Sequence, residues 1–181
     1  MKTDLYGDMI HEPEDFLDTM LWLFKTQEHC GISYRPETKM GFTKNIDLNL
    51  GIRGLYILYR NEVPIYIGLA EGLLLTIHTR VGRYFSTLNG TNRLDEKHCG
   101  ASRNLKLFGN SDKGMSVKAI NITVVDNILK DSCVTLGMLE NLLIRTLNPT
   151  GNIRGKGSRV LTSKIIQQLY MPYNTLSTVF N

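Results

Sequence analysis

The sequence predicts an α+β fold: a small three-stranded antiparallel sheet flanked by helices, with a helical extension at the N-terminus. Three observations predict it. Residues 54–60 (Gly-Leu-Tyr-Ile-Leu-Tyr-Arg) and 65–70 (Ile-Tyr-Ile-Gly-Leu-Ala) are rich in β-branched and aromatic types, with a turn-forming Asn61-Glu62-Val63-Pro64 between them. Residues 116–126 alternate well enough to supply a third strand. Segments 13–28, 73–88 and 134–147 carry apolar residues at helical spacing.

Taken in order, the first helix has Pro13 in its first turn and Phe16, Leu17, Met20, Leu21, Leu23 and Phe24 as its apolar side, with Trp22 in the same stretch. Residues 30–52 read as loop, punctuated by Gly31, Pro36, Gly41 and Gly51. In the hairpin, Tyr56 shares a face with Leu58 and Tyr66 shares one with Gly68. A pivot near Asn61 sets the two tyrosines opposite each other, and the missing side chain at Gly68 leaves room for a ligand's backbone or phosphate. The 73–88 helix puts Leu73, Ile77, Val81 and Leu88 in one arc, with Arg80 and Tyr84 one turn apart on the same side. Residues 89–115 are polar and irregular, with a short helix at 101–108. The 134–147 helix ends at Asn148-Pro149, because a residue before proline is pushed out of helical geometry. An amphipathic piece at 162–170 follows. The implied division is an extension at 1–52, a core domain at 53–160 with an insertion at about 86–116, and a C-terminal extension at 161–181.

Bulk properties bound the function. A chain of 181 residues suits one domain with a sizeable core, and 42% hydrophobic with 21% charged residues is ordinary for a soluble protein. No apolar run approaches the ~20 residues that span a bilayer, and the early acidic residues do not suit a signal peptide. Three widely spaced cysteines are no disulfide framework, so a cytoplasmic location is expected. The pairs His29-Cys30 and His98-Cys99, with Cys133, lack the short-loop spacing of structural zinc. His78 lies off its helix's apolar arc and is expected to be exposed. The net charge of +4 is unevenly spread: no acidic residue follows Glu140, while Arg145, Arg154, Lys156, Arg159 and Lys164 do. Such a one-signed segment is either a solvated face or a phosphate-binding surface.

Two charged side chains stand where charge is costly. Glu140 falls inside the apolar arc of Leu136, Leu139, Leu143, Ile144 and Leu147. It is either half of an internal salt bridge to an arginine or a ligand to Mg²⁺, which keeps several waters and takes substrate phosphate. Arg80, set against its helix's apolar face, either pairs with Glu140 or meets a phosphodiester with its planar fork.

In order, these pieces are Gly54-Leu55-Tyr56, Tyr66-Ile67-Gly68, Arg80 with Tyr84, then Glu140 and Asn152 within Leu-Glu-Asn-Leu-Leu-Ile-Arg-Thr-Leu-Asn-Pro-Thr-Gly-Asn. The whole resembles the GIY-YIG nuclease superfamily over about 54–153, in the style of its restriction and phage endonucleases. The resemblance implies a GIY-YIG fold and Mg²⁺-dependent hydrolysis of double-stranded DNA, with Mn²⁺ as a substitute metal. It places Tyr56 and Tyr66 beside the attacking water, Tyr56 as general base or water-orienting group, and Arg80 on the pentacovalent phosphate. It further implies Tyr84 as partner to nucleophile or phosphate, Glu140 as the single protein ligand to the metal, and Asn152 as a loop-holding hydrogen bonder. A repair or structure-specific nuclease and a catalytically inactive DNA-binding module are the alternatives. The interval from Gly68 to Arg80 is longer than the family's usual one, which keeps Arg83 as a second candidate. Leu69 stands where many members have lysine or a small polar residue.

For DNA contact, the expected residues are Arg83, then Arg93, Arg103, Lys106 and Lys113 in the insertion, and Arg154, Lys156 and Arg159 in the glycine-rich tail. A palindromic target would imply a homodimer.

Overall fold

A computed structural model describes residues 2–3, 9–35, 39–91, 98–109 and 113–152. A two-residue pairing of β1 (Lys2–Thr3) with β2 (Met9–Ile10) leads into a 3₁₀ turn at Pro13–Phe16 and helix α1 (Leu17–Thr26). Then follow β3 (Cys30–Arg35), β4 (Lys39–Phe42), α2 (Ile46–Leu50), β5 (Gly54–Arg60), β6 (Val63–Ala70) and α3 (Ile77–Leu88). The described chain closes with α4 (Cys99–Phe108), β7 (Met115–Asn121), α5 (Ile122–Leu129) and α6 (Leu136–Leu147). The class is α+β, as expected.

The sheet has five strands rather than three, in the order β4-β3-β7-β5-β6, with all neighbours antiparallel. The two unforeseen strands come from 30–52, which reads as loop in sequence. Cys30 and Gly31 pair with Val117 and Ser116, so the segment before the hairpin extends the sheet rather than forming a purely helical appendage. The expected third strand also stops early. Asn121 turns it into α5 by accepting the Thr123 N–H (3.0 Å), and Ile122–Leu129 continue as helix despite their β-branched composition.

Both faces of the sheet are covered. On one, Tyr56, Leu58 and Val117 pack with Leu48 of α2, Ile77, Val81, Tyr84 and Phe85 of α3, and Ala101 of α4. On the other, Leu55, Ile57, Ile67 and Ile120 pack with Met20 and Phe24 of α1, Val125 of α5, and Leu139, Leu143 and Ile144 of α6. Burial on both faces explains why β5 reads as a near-continuous apolar run. Burying each Leu- or Ile-sized side chain stabilises the fold by roughly 1.5–3 kcal/mol. Gly54, at φ +148°, is fixed by close approach, since a Cβ there would collide with the Ile120 carbonyl. Leu73, expected in the apolar arc of α3, precedes that helix and is exposed. Trp22 lies in α1 and is exposed. His78 is not free in solvent: its Nε2 meets the Met40 carbonyl at 3.1 Å and its ring stands against Phe42, tying α3 to β4. The 162–170 piece lies outside the described residues. Among the described residues, no helix is long and apolar enough to cross a membrane.

Candidate functional site around the outer edge of β6

The hairpin turns on two residues, Asn61 and Glu62, both with positive φ, joining Arg60 to Val63. A register shift follows at Leu58/Tyr59, where Tyr59 pairs with Pro64 but Leu58 with Tyr66. The tyrosines therefore do not stand directly opposite. Tyr56 faces Gly68, Tyr66 faces Leu58, and their ring centroids are diagonal neighbours at 6.2 Å. The space that Gly68 leaves is taken by Tyr56 itself, because a Cβ at Gly68 would run into the Tyr56 hydroxyl. The hollow expected over Gly68 is the seat of a phenol.

That phenol is completely buried, and its hydroxyl has no hydrogen-bond partner. Burial, reinforced by Tyr66, pushes its pKa well above the ordinary phenol value. Tyr66 and Tyr84 are each pushed up to about 12, again mainly by burial. All three carry their protons at neutral pH. Tyr84 is held from a direction sequence does not reveal: Asn104 of α4 donates to its hydroxyl at 2.6 Å, donates again to the Ile65 carbonyl at 3.2 Å, and accepts from Thr150 Oγ1 at 2.9 Å.

β6 is an edge strand, so its outward backbone groups need partners. They are met almost entirely by candidate site residues. Asn152 accepts from the Ile67 N–H and donates to the Ile67 carbonyl, both at 2.8 Å. The Gly151 N–H meets the Ile65 carbonyl at 2.8 Å. Arg80 Nε donates to the Leu69 carbonyl at 3.3 Å, while the backbone of Leu69 also hydrogen-bonds Glu140. Thus α3 brings a cation from one face of the sheet, α6 brings an anion from the other, and the backbone of one residue of β6, Leu69, meets both.

The two charges act on each other without closing on each other. Ion pairs such as His11–Asp15 and Arg145–Glu14 form among the described residues, but Arg80 and Glu140 do not close into one. Burial raises the Glu140 pKa, with Arg80 and the Leu69 hydrogen bond pulling the other way. Arg80 also bears on Tyr56, Tyr66 and His98, whereas Arg83, farther round α3 and exposed, bears on His98 but on neither Tyr56 nor Tyr66. Position thus separates the two candidate arginines in favour of Arg80. Among the described residues, no group of three His, Cys, Asp or Glu side chains could jointly hold a metal ion. Glu140 has a second carboxylate, that of Glu71, and a buried, unpartnered hydroxyl, that of Tyr56, within its electrostatic reach.

The insertion is not a polar loop throughout. Residues 99–108 form α4, with Ala101 and Asn104 buried. Gly100 lies directly against the Tyr66 ring, where a Cβ would meet Cε2 at 2.6 Å. His98, just before the helix, has its ring centroid 4.8 Å from that of Tyr66 and 5.4 Å from that of Tyr84. His98 and Asn104 are the site neighbours that sequence reasoning missed. Of the expected DNA-contacting residues, Arg83, Arg103, Lys106 and Lys113 are exposed, on α3, α4 and the approach to β7. Arg93, Arg154, Lys156 and Arg159 lie outside the described residues.

No family model, curated protein or solved structure matches the chain.

Proposed function

We propose that the chain is a Mg²⁺-dependent, site-specific DNA endonuclease of the GIY-YIG type. One observation carries this reading: Arg80 and Glu140 are held apart on the two backbone polar groups of Leu69, within electrostatic reach of the unpartnered buried hydroxyl of Tyr56. A purely structural pair of opposite charges would gain most by closing, since leaving both partly buried and apart costs solvation. Charges kept apart suit a site that holds an anion and a cation of its own.

The donor set fits Mg²⁺, which accepts one or two carboxylates and completes its shell with water and phosphate. Glu140 would hold it, and when bound it supplies Lewis-acid stabilisation of the phosphoryl oxygens. The remaining work falls to the chain. Arg80 meets the charge that gathers on phosphorus's oxygens as water attacks and the P–O bond to the leaving nucleotide breaks. Tyr56, held protonated by burial, serves as a water-orienting donor rather than a general base at neutral pH. Tyr66 and Tyr84 form the wall beside it, and Asn152 fixes β6, which carries Tyr66 and, through Leu69, meets both Arg80 and Glu140. Exposed Arg83, Arg103 and Lys106 supply phosphate contacts to double-stranded DNA.

Supercoiled plasmid incubated with wild-type protein and Glu140→Gln, with and without Mg²⁺, tests the reading. Nicking or linearisation by wild type alone, and only with metal, supports it. Duplex bound but never cut would make the chain a DNA-binding module instead.

A further inference from the structure

Helix α4 contributes more than bulk to this site. The His98 backbone N–H donates to Thr87 Oγ1 at 2.8 Å, and Thr87 Oγ1 donates to the Arg83 carbonyl at 3.0 Å, so the start of α4 is pinned to α3. From that anchor His98 acts as the N-cap: its Nδ1 accepts the Ala101 N–H at 3.4 Å. A neutral imidazole has one donor and one acceptor nitrogen, so capping through Nδ1 leaves the hydrogen on Nε2. The ring lies edge-on to both Tyr66 and Tyr84, at interplanar angles of 76° and 64°.

We propose that His98 is a further substrate-contacting residue, donating its Nε2–H to a phosphodiester oxygen at the β6-edge site. The substrate class rests on the nuclease reading above. The surroundings favour an uncharged donor there. Arg80, Arg83 and Tyr84 face the ring from α3, Tyr66 faces it from β6, and Cys99 follows it on α4. Burial first, then Arg80 and Arg83, bring its pKa down to about 4. Near neutral pH the ring is a fixed dipole, not an ion. An incoming phosphate finds the Arg80 guanidinium, tied to the Leu69 carbonyl, and an N–H fixed by the Nδ1 cap, which is what a preorganised anion site needs.

Two substitutions separate this role from mere capping. In His98→Asn the side-chain oxygen takes the place of Nδ1 and caps well, but nothing occupies the position of Nε2. In His98→Gln the amide nitrogen reaches the Nε2 position, but the cap is poor. Expected is a folded His98→Asn with kcat down about 100-fold and KM little changed, the usual scale for one lost preorganised donor. His98→Gln should keep most of the rate while melting earlier. The reverse ranking, or full activity in His98→Asn, overturns the proposal.

A turnover-independent readout separates this inference from the nuclease reading. Ring ¹⁵N signals of the full-length protein should show the Nε2–H tautomer at pH 7 and move when a phosphorothioate duplex is added with Ca²⁺. A shift at His98 without cleavage of any natural duplex would sink the nuclease reading and leave the phosphate contact standing. Cleavage with an Nδ1–H tautomer, or with an unmoved His98, would do the opposite. Absence of any duplex binding would remove both.

Discussion

The two edges of the sheet are closed by the same device with different consequences. At β4, Asn49 of α2 accepts from the Phe42 N–H at 3.0 Å and donates to the Phe42 carbonyl at 3.1 Å. At β6, Asn152 does the same to Ile67 at 2.8 Å. Both asparagines mimic the strand that an edge lacks. Asn49, however, reaches back 7 residues, while Asn152 reaches back 85. As isolated loops, the longer closure costs about 2 kcal/mol more, at about 0.6 kcal/mol per doubling of length. Among the described residues, the remote edge also gathers an arginine, a glutamate, two buried phenols and the partly buried Tyr66. A local asparagine closes an edge cheaply. The remote one earns its place by also fixing the wall of a site.

The largest effects that would sharpen this contrast lie in the charges. Glu140→Gln should abolish cleavage and Arg80→Ala should lower it by at least about 10³-fold, both with duplex affinity largely intact, as gel shift and single-turnover assays would read. Glu140→Gln carries a second, opposite signature. The native-state pKa of Glu140 is raised from its ordinary 4.5, chiefly by burial. The protonated form is therefore the one folding favours, so its contribution is present below about pH 4.5 and lost as pH rises through the raised value. At pH 7 without metal the ionised carboxylate costs stability. The glutamine variant should melt higher than wild type there, and the gain should vanish in acid. A lower melting point for the variant at pH 7 would mean that Glu140 is a structural ion-pair partner after all.

Next in size is Tyr56→Phe. The hydroxyl satisfies no protein group, so deleting it should leave thermal stability unchanged or slightly higher. Cleavage should fall about 10- to 100-fold if that hydroxyl orients the attacking water. Lost stability with unchanged cleavage would make it a packing residue alone. For Asn152→Ala the order reverses, with stability moving first. It strands the buried N–H and carbonyl of Ile67, at about 1–3 kcal/mol each, and should lower Tm by about 10 °C in calorimetry.

The contrast between edges also tracks what was legible in the sequence. Strand 54–60 and the helix ending before Pro149 announce themselves through local composition, and Asn148 takes a left-handed conformation at that end. Tyr56, Arg80, Glu140 and Asn152 could be picked out because each breaks a local pattern or fits an ordered series. Strands β3 and β4 could not. Their glycines and Pro36 read as loop, and β3 is a strand through its pairing with β4 and β7. The Ile-Thr-Val-Val run of α5 reads as strand because propensity misses the Asn121 cap. Tyr56 faces a residue two beyond Tyr66 because the turn centres between Asn61 and Glu62, which moves the pairing by one residue, and the bulge at Leu58/Tyr59, which has no local signature in 58–66, moves it by one more. His98 and Asn104 reach the site through packing of α4 against α3, and no spacing in the chain encodes that meeting.

The smallest expected effect is the control for the others. Asn49→Ala removes the β4 mimic, along with a bond from Asn49 Nδ2 to the Asn45 carbonyl at 3.0 Å. Asn49 is exposed, so water can take over those backbone groups, and the loss should be about 0.5–1.5 kcal/mol, or about 2–5 °C in Tm. Cleavage at a temperature well below either melting point should match wild type. Equal losses of cleavage in Asn49→Ala and Asn152→Ala would show that any weakened edge slows cleavage through general loosening. A loss in Asn152→Ala alone ties the effect to the peptide run from Ile65 to Leu69, where Tyr66, Arg80 and Glu140 take their positions.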